Sequence, residues 1–365
     1  MSQAVHVEKS AIQNATLVSS DPKPLAAGAA RLQIESFSVT ANNVTYAVVG
    51  DGFGYWNFFP TPDAAGSKVG IVPMWGHAKV IEDNDSGLTV GERVYGYLPM
   101  ASHLDVVPGK ISAGGFVDIV EHRQSMSPIY NQYSRLAADP EHDPAREGER
   151  MIFGPLFKTG FLIEYFMRNE DWFGAKNVIL TSASSKTALG LASVAKQTSP
   201  DVKRIGLTSA GNIDFVKQTG LYDQVLSYDA VDTLEAAASV SVDFAGNAKL
   251  LASIHAQLGD KLRYSCLVGA THIEERGTGG LSGAGDMAGP KPVLFFAPDH
   301  AVAMFKELGP EEASKRVAQS WHKFLSDVGD TVIIERHQGL DAARDQFTTM
   351  AGGTIDPSAG IVIEP

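Results

Sequence analysis

Cysteine is almost absent from this chain of 365 residues, in which Cys266 is the only one. A single cysteine excludes an intramolecular disulfide and any zinc site built from several cysteines. It fits a reducing compartment. The polar N-terminal stretch has no apolar signal core, and we therefore expect a cytoplasmic protein.

Long apolar runs are missing as well. No stretch of about 18 apolar residues occurs, so no transmembrane segment is predicted. Positive charge is scarce, because 30 Lys and Arg stand against 42 Asp and Glu, which gives a net charge of −12. This balance argues against nucleic acid as the main partner. A small-molecule partner is expected, since an anionic cofactor needs only one local basic pocket.

Apolar residues are plentiful enough for a sizeable core, at 44% of the chain, and the length predicts two domains. Residues 31–39 alternate as a strand does, and short β-rich pieces separated by Gly and Pro follow at 70–75, 78–81 and 93–97. This pattern predicts a compact all-β barrel or sandwich in the first part of the chain.

Two segments beside this β-rich region have little periodicity. Residues 1–30 are expected to begin as a loose arm, and the polar residues 140–150 to form a surface loop. Residues 155–170 then turn apolar and are predicted to be helical.

Apolar runs of strand length alternate with helical stretches after residue 177. Six strand candidates occur, at 178–181, 204–208, 224–227, 239–243, 264–268 and 293–296. Such an alternation is typical of a doubly wound parallel sheet, and six strands make a full dinucleotide-binding fold. Residues 299–328 are expected to form one or two long helices. Two late strands, 331–334 and 361–363, are expected to return to the first domain.

The turn after the first of these strands is expected to hold the pyrophosphate of a dinucleotide, although it has no G-x-G-x-x-G. Its sequence from Thr181 to Gly190 offers small hydroxyl side chains and a lysine at the start of a helix. We predict phosphate contacts from Ser182, Ser184, Ser185, Lys186 and Thr187. The alternative is a serine-rich helix cap beside a solvent-exposed lysine. A P-loop is excluded, because the glycines that it needs are absent.

The second strand ends without the carboxylate that typically holds the ribose 2′-hydroxyl of NAD. The first acidic residue is Asp214. Thr208, Ser209 and Asn212 are predicted to hydrogen-bond a 2′-phosphate, with added charge from Lys217. NADP(H) is therefore expected rather than NAD(H). An ordinary Asn/Gly turn after a strand is the alternative interpretation.

Several segments resemble the medium-chain dehydrogenase/reductase superfamily. Val90–Gly96 is similar to its V-G-D-R-V-x-G stretch, with Glu92 in place of the Asp, and Val39–Tyr46 to its Asn-containing strand near the nicotinamide. Gly339–Arg344 and the apolar strand after it resemble its C-terminal region. Closer matches to the DUF2855 branch of the superfamily occur at Thr45–Asp51, Tyr55-Trp56, Phe58–Pro60, Tyr130–Tyr133 and Phe295–Pro298.

This resemblance covers nearly the whole chain after about Leu32. It implies an α/β protein with a GroES-like β-barrel domain at residues 1–165, a Rossmann doubly wound parallel sheet at 166–299, and a return of residues 300–365 to the first domain. It also implies a cleft between the domains, a nicotinamide hydride donor and often a homodimer. The fold does not specify the substrate.

Catalytic zinc is not expected. Gly76-His-Ala resembles the Gly-His-Glu that carries a zinc ligand in the zinc branch, but Ala78 replaces the glutamate. The only cysteine lies late in the Rossmann half. His77 is expected to be a hydrogen-bonded histidine of the barrel.

Without a metal, reduction of a carbonyl or enone needs another group to stabilise the growing oxyanion and to deliver a proton. Tyr46 is the first candidate, with Asn43 nearby as an amide donor. A strand tyrosine packed on the sheet is the alternative for Tyr46. Tyr55 and Trp56 follow a glycine-rich loop, and they are predicted either to line an apolar substrate pocket or to belong to the core.

The ends of two Rossmann strands are expected to frame the nicotinamide ring. Gly269 and Ala270 follow the fifth strand and allow the ring to approach the backbone, and Phe296 ends the sixth. Thr159 occupies the place where the superfamily often has a threonine near the nicotinamide, with a helix N-cap as the alternative. Asp243, at the end of the fourth strand, is expected to cap the next helix rather than act in catalysis.

The sequence therefore predicts a zinc-independent, NADPH-dependent oxidoreductase that reduces an enone, quinone or carbonyl by hydride transfer. The alternative is a non-enzymatic NADP(H)-binding redox sensor or interaction protein, which the serine-rich turn leaves open. The glycine-rich residues 276–285 are expected to form a substrate flap or a dimer-side loop.

Overall fold

The computed structural model describes residues 1–61, 68–268, 287–353 and 356–365. The chain divides into two compact units. Unit 1 consists of Met1–Ile152 and Ile333–Pro365, and unit 2 of Phe153–Val332.

The described residues form eighteen β-strands and eight α-helices, apart from short 3-10 turns. The strands are β1 (Ser2–Glu8), β2 (Ala15–Ser20), β3 (Ala29–Val39), β4 (Val69–Gly70), β5 (Pro73–Asn84), β6 (Arg93–Pro99), β7 (His103–Val106), β8 (Pro108–Gly109), β9 (Gly115–Asp118), β10 (Gln132–Arg135), β11 (Asn177–Leu180), β12 (Lys203–Thr208), β13 (Gln224–Ser227), β14 (Ser239–Asp243), β15 (Leu262–Leu267), β16 (Val293–Leu294), β17 (Ile333–Gln338) and β18 (Ala359–Glu364). The helices are α1 (Ala41–Val48), α2 (Glu147–Asn169), α3 (Lys186–Thr198), α4 (Ile213–Gln218), α5 (Ala248–Leu258), α6 (Ala297–Leu308), α7 (Pro310–Val328) and α8 (Gly339–Ala351).

The larger sheet of unit 1 has the strand order β17-β18-β3-β5-β6-β10-β9-β8, with β7 also paired to β3. Its pairs are antiparallel except for β17 with β18. Buried apolar side chains of β3 and β6 contribute to the core, among them Leu32, Phe37 and Val94. The two late strands, β17 and β18, complete this sheet next to β3.

The N-terminal residues are not the loose arm that the sequence predicted. Strands β1 and β2 form an antiparallel hairpin, and β1 also pairs with β4. Val5 and Val7, two residues apart on β1, are fully buried. Their shared face packs the hairpin onto the unit and overrides the weak periodicity of the segment.

Residues 140–150 are also more ordered and more buried than the surface loop that was predicted. A 3-10 turn at Pro144–Arg146 leads into α2. Arg150 is only 2% exposed and pairs with Asp139. A charged side chain is buried in this way when it is paired, and composition does not reveal the pairing.

The segment Val39–Tyr46, expected to be a strand, is a strand end followed by helix α1. Thr40 is the N-cap residue, and Asn43 closes the first turn by accepting hydrogen bonds from the Thr40 backbone N–H (2.6 Å) and hydroxyl (3.0 Å). This reciprocal cap stops β3 at Val39 and starts a helix where β-branched residues favour a strand. The sequence prediction was wrong here.

Helix α2 contains Pro155, which has no N–H to offer to the carbonyl of Met151. The hydroxyl of Ser38 on β3 donates to that carbonyl at 2.7 Å. The interruption of the helical ladder therefore provides a hydrogen bond that ties the start of α2 to the sheet of unit 1.

Unit 2 contains a parallel sheet with the order β13-β12-β11-β14-β15-β16 in the described residues. Its strands coincide with the six that the sequence predicts, and the order is that of a dinucleotide-binding fold. Helix α5 packs on this sheet through a core that includes Ile179, Ile205, Leu207, Ile254 and Leu258.

Glycine allows α2 and α3 to touch through their backbones. A Cβ on Gly160 would lie 2.4 Å from the Leu191 nitrogen, and one on Gly190 would lie 3.0 Å from the Cα of Phe157. On the same part of α2, the ring of Phe157 lies 5.3 Å from that of Trp321 on α7.

These helix contacts explain the boundaries of the units. The sequence placed them at 165/166 and 299/300, whereas the structure divides at 152/153, inside α2, and at 332/333. The later part of α2 and the helices α6 and α7 pack within unit 2, because their apolar faces are buried there.

Among the described residues, no helix combines the length and the apolar character that a bilayer crossing requires.

Candidate functional site

The turn after β11 leads directly into α3. Ser182 adopts a left-handed conformation with φ of 48°, a region that glycine occupies most easily. The Ser185 hydroxyl caps α3 by accepting from the Ala188 backbone N–H at 3.3 Å. Lys186 and Thr187 are partly exposed in the first helical turn. Small side chains therefore surround the N-terminus of a 13-residue helix, where backbone N–H groups favour an anion.

The turn is joined to the end of the neighbouring strand β12. The Ser184 hydroxyl accepts from the Asn212 side-chain amide at 3.1 Å and from the Thr208 hydroxyl at 3.5 Å. Ser209 and Asp214 are exposed beside them. Residues predicted from two separate parts of the sequence thus form one polar cluster, which we call the serine cluster (Ser184, Thr208, Asn212).

Hydrogen bonds of Ala183, next to Ser184, also hold the turn against β12. The Ala183 N–H donates to the Leu207 carbonyl at 3.0 Å. Gly206 makes this approach possible, because a Cβ there would lie 2.9 Å from the Cβ of Ala183 and 2.9 Å from the ring of Tyr222. The Tyr222 hydroxyl in turn donates to the Ala183 carbonyl at 2.9 Å.

Asp243 links the ends of β11 and β14. Its Oδ1 accepts from the Thr181 hydroxyl at 2.7 Å and from the backbone N–H groups of Ala245 (3.1 Å) and Gly246 (3.3 Å). Helix α5 is capped by Asn247 instead. The expectation that Asp243 caps the next helix was therefore wrong, because its carboxylate stabilises the turn that precedes that helix.

The residues predicted near the nicotinamide lie on different elements. Thr159 is in the middle of α2, and its hydroxyl donates to the Pro155 carbonyl at 3.2 Å, so the helix N-cap alternative does not apply. Phe296 is the residue directly before α6. Gly269 and Ala270 lie outside the described residues, as does the glycine-rich segment 276–285.

In unit 1, the Tyr46 hydroxyl is buried and receives two hydrogen bonds. The Asn42 amide donates to it at 2.7 Å and the indole N–H of Trp75 at 3.1 Å. Burial raises the pKa of Tyr46 above its ordinary value, so the phenol is protonated at neutral pH. Since both bonds are accepted, the hydroxyl is left with its own proton to donate.

Asn43 is used differently from what the sequence predicted. Its Oδ1 belongs to the cap of α1, and its Nδ2 donates to the Pro73 carbonyl at 2.8 Å. The side chain is 1% exposed. Asn43 therefore fixes α1 against the start of β5, and in this way it positions Tyr46 one helical turn later.

Tyr46 lies in a group of aromatic rings. Its centroid is 4.5 Å from that of Tyr55, 5.5 Å from Tyr97 and 6.5 Å from Tyr130. The hydroxyls of Tyr55 and Tyr130 are 3.0 Å apart. We call these four residues the tyrosine cluster.

Sequence reasoning missed Trp75, Tyr97 and Tyr130 as members of this environment. The sequence does contain a pattern that places Trp75 and Tyr97 near each other. Trp75 and His77 are two residues apart, as are Tyr95 and Tyr97, so each pair shares one face of its strand. The register pairs Trp75 with Tyr97 and His77 with Tyr95 across β5 and β6.

Trp56 belongs to the core rather than to an open pocket. Its indole is packed between two glycines, since a Cβ on Gly50 would lie 2.2 Å and one on Gly70 2.3 Å from the ring atoms. The other predicted pocket residue, Tyr55, is a member of the tyrosine cluster.

His77 is fully buried, and neither of its ring nitrogens has a hydrogen-bond partner among the described residues. The expected hydrogen bond between His77 and another group of the barrel is therefore not found in the described part of the chain. Burial lowers the pKa of His77 to about 3. In the described part of the chain, no group of three or more His, Cys, Asp or Glu side chains is arranged to hold a metal ion.

Comparison with protein families gives a match over residues 37–356 to the family described as "Protein of unknown function (DUF2855)". The chain belongs to the DUF2855 family. No curated protein gives a significant match.

Solved structures similar to this DUF2855 protein cover nearly its whole length. They include CurA from Vibrio vulnificus in complex with NADPH, with a TM-score of 0.60, 13% identity, and coverage of 99% of this chain and 98% of that chain. A mutant enoyl thioester reductase from Candida tropicalis has a TM-score of 0.57 at 10% identity, with coverage of 100% and 99%. A quinone oxidoreductase from Coxiella burnetii has a TM-score of 0.55 at 13% identity, and the match covers 100% of this chain and 99% of that chain.

At such low identity the similarity shows the fold. The DUF2855 protein has the fold of these solved structures, with a GroES-like and a Rossmann part, which confirms the predicted fold class. The family match confirms the predicted DUF2855 branch.

The buried His77 predicts an acid-sensitive fold. Glu147, Arg150, Arg93 and His142 face its ring, and the folded pKa of about 3 lies below the ordinary value of 6.5. The stability that this neutral ring contributes is complete above about pH 6.5 and is lost as the pH falls. Between about pH 7 and about pH 5, His77 is expected to account for up to about 2 kcal/mol of lost stability.

Urea unfolding of the wild type and of His77→Phe at the two pH values measures this contribution. The variant is expected to lose less stability on acidification than the wild type. An identical loss in both proteins would show that His77 is not protonated on unfolding, contrary to the prediction.

Proposed function

We propose that this DUF2855 protein is a zinc-independent, NADPH-dependent oxidoreductase that reduces an enone, quinone or carbonyl compound by hydride transfer. The observation that carries the proposal is the serine cluster, in which the turn after β11 is hydrogen-bonded to the end of β12 without a carboxylate. These are the places where a doubly wound sheet holds the pyrophosphate and the adenosine ribose.

The residues present fit the pyrophosphate of a dinucleotide. The turn carries only small side chains between Ser182 and Ser185, so a phosphate can approach the N-terminus of α3. Lys186 adds a positive charge at that end of the helix. The hydroxyls of Ser182, Ser184, Ser185 and Thr187 are proposed to contact the phosphates.

The end of β12 fits NADPH better than NADH. Thr208, Ser209 and Asn212 offer hydrogen bonds to a 2′-phosphate, and Lys217 is exposed on α4. The first acidic residue after β12 is Asp214, which is exposed and lies beyond the strand end where a carboxylate typically binds the 2′-hydroxyl. CurA, which has a similar fold, was solved with NADPH.

When bound, NADPH supplies a hydride. We propose that Tyr46 supplies the proton or hydrogen bond that the reduced substrate needs. Its hydroxyl accepts two N–H bonds, from Asn42 and Trp75, and therefore acts as a donor to a substrate oxygen that becomes negative. Asn43 positions Tyr46, and Tyr55 is proposed to contact the substrate.

Roles near the nicotinamide are proposed for four further residues. They are Thr159, Gly269, Ala270 and Phe296. The small Gly269 and Ala270 suit close approach of the ring to the backbone, and Phe296 offers an apolar wall.

Removal of the lysine charge tests the cofactor site. Lys186→Ala is expected to weaken NADPH binding by roughly tenfold or more, because a charge-assisted hydrogen bond is lost. The wild type is expected to bind NADPH more tightly than NADH. Titration calorimetry measures both affinities.

Lys196→Ala is the matched control, since Lys196 lies at the opposite end of α3 and donates to the Gly220 carbonyl. Its affinity for NADPH is expected to equal that of the wild type. If Lys186→Ala also binds with unchanged affinity, the assignment of the phosphate turn is wrong.

Removal of the phenol tests catalysis. In Tyr46→Phe, kcat is expected to fall by about 10²-fold to 10⁴-fold with little change in KM, because the lost interaction forms in the transition state. NADPH oxidation with a panel of enones, quinones and aldehydes is the assay. Tyr133→Phe is the control, because the Tyr133 hydroxyl donates to the Tyr97 carbonyl rather than to Tyr46.

A wild type that binds NADPH but reduces no member of the panel would favour the non-enzymatic alternative, a redox sensor. Activity that is unchanged in Tyr46→Phe would instead assign the proton donor to another residue.

We also propose a homodimer that pairs through strand β16. This strand lies at one edge of the described parallel sheet, and Val293 and Leu294 are 45% and 47% exposed. An exposed apolar edge strand is a template for pairing with a second chain, and most homo-oligomers are twofold dimers.

Val293→Lys is expected to produce a monomer in light scattering coupled to gel filtration, because a charged side chain on the edge strand opposes pairing with a second chain. Ile119→Lys, which changes a residue of equal exposure in unit 1, is expected to leave the dimer intact. A wild type that is monomeric, or a Val293→Lys protein that remains dimeric, contradicts this arrangement.

A further inference from the structure

Three buried side chains of unit 1 meet beside the tyrosine cluster. His77 on β5 and Tyr95 on β6 are register partners, and their ring centroids lie 5.2 Å apart. The guanidinium of Arg150, from α2, lies 4.3 Å from the centroid of the Tyr95 ring. The side chains of His77, Tyr95 and Arg150 are all buried.

These three side chains carry five buried polar atoms that have no hydrogen-bond partner among the described residues. They are Nδ1 and Nε2 of His77, Oη of Tyr95, and Nε and Nη1 of Arg150. Arg150 donates through Nη2 to Asp139 at 2.5 Å. A buried polar group without a partner destabilises the folded state, so five of them on three neighbouring side chains indicate a partner that the described residues do not supply.

Carboxylates outnumber arginines around this group. Arg150 is paired with Asp139 and also interacts with Glu141. Arg93, which also faces His77, is paired with Glu35 and Glu147. The surplus of carboxylates disfavours an anion, and the free N–H groups of Arg150 disfavour a cation.

The hydrogen-bonding chemistry is mixed. The two free positions of Arg150 only donate, the Tyr95 hydroxyl both donates and accepts, and a neutral imidazole donates at one nitrogen and accepts at the other. A matching ligand must therefore be neutral and must both donate and accept. Water has these properties and is the usual partner of buried polar groups.

We propose that His77, Tyr95 and Arg150 form an interior binding site for ordered water. At about three hydrogen bonds per buried water, the five atoms correspond to about two molecules. The bound water holds His77 in one neutral tautomer and satisfies the guanidinium that lies on Tyr95. This site does not depend on the proposed reductase activity, and it is measured on the protein without cofactor.

Magnetic relaxation dispersion of the solvent, which counts long-lived interior waters, tests the proposal. In His77→Phe the count is expected to fall by about two. His255→Phe is the matched control, because His255 is equally buried but its nitrogens lie 2.8 Å from the Ala288 carbonyl and 2.9 Å from the Ser265 hydroxyl. The count is expected to be unchanged in that variant.

Tyr95→Phe, which removes one oxygen atom and keeps the ring, is the second variant and does not rely on the folding of His77→Phe. It is expected to lower the count by about one. A crystal structure of the wild type is expected to show solvent within about 3.2 Å of the His77 and Arg150 nitrogens. An unchanged count in Tyr95→Phe, or a crystal structure in which these nitrogens bond directly to protein atoms, would overturn the proposal.

Discussion

The parallel pairing of β11 with β12 and β14 is the interaction on which the proposed cofactor site depends. The register places the carboxyl ends of these strands at one edge of the sheet. There Ser184 reaches Asn212, and Thr181 reaches Asp243. The absence of a side chain at Gly206 lets the turn after β11 lie against β12. A serine-rich turn is thereby held in a place where dinucleotide-binding proteins typically use glycine.

In unit 1, burial decides what each polar group can do. The side-chain amide of Asn43 is hydrogen-bonded to the cap of α1 and to the Pro73 carbonyl. The hydroxyl of Tyr46, three residues later, accepts two hydrogen bonds, and its own proton is available for donation. Both residues were candidates for the same chemistry. The hydrogen bonds around each atom distinguish Asn43, which fixes α1, from Tyr46, the proposed proton donor.

Much of the fold was predictable because buried strands are encoded by apolar residues that follow one another in the sequence. The central strands β11, β12 and β14 of the parallel sheet are buried along most of their length. Such strands are rich in apolar residues because both of their faces are covered. The segment from Val39 to Tyr46 was mispredicted because its β-branched residues favour a strand, while the helix depends on one cap between Thr40 and Asn43. The burial of Arg150 was not predictable, because Tyr95 is distant in the sequence and the polar composition around Asp139 does not reveal that Asp139 pairs with Arg150.

The family, the fold class, the parallel sheet and the hydroxyl-rich turn before α3 could be predicted from the sequence alone, because each of these is encoded in consecutive residues. Which polar groups meet depends on the tertiary structure. It joined Ser184 to Asn212, gave Tyr46 its two donors and left His77 without a protein partner. Hydrogen bonding acts over about 3 Å between atoms that the chain brings together only on folding, and periodicity carries no record of those distances.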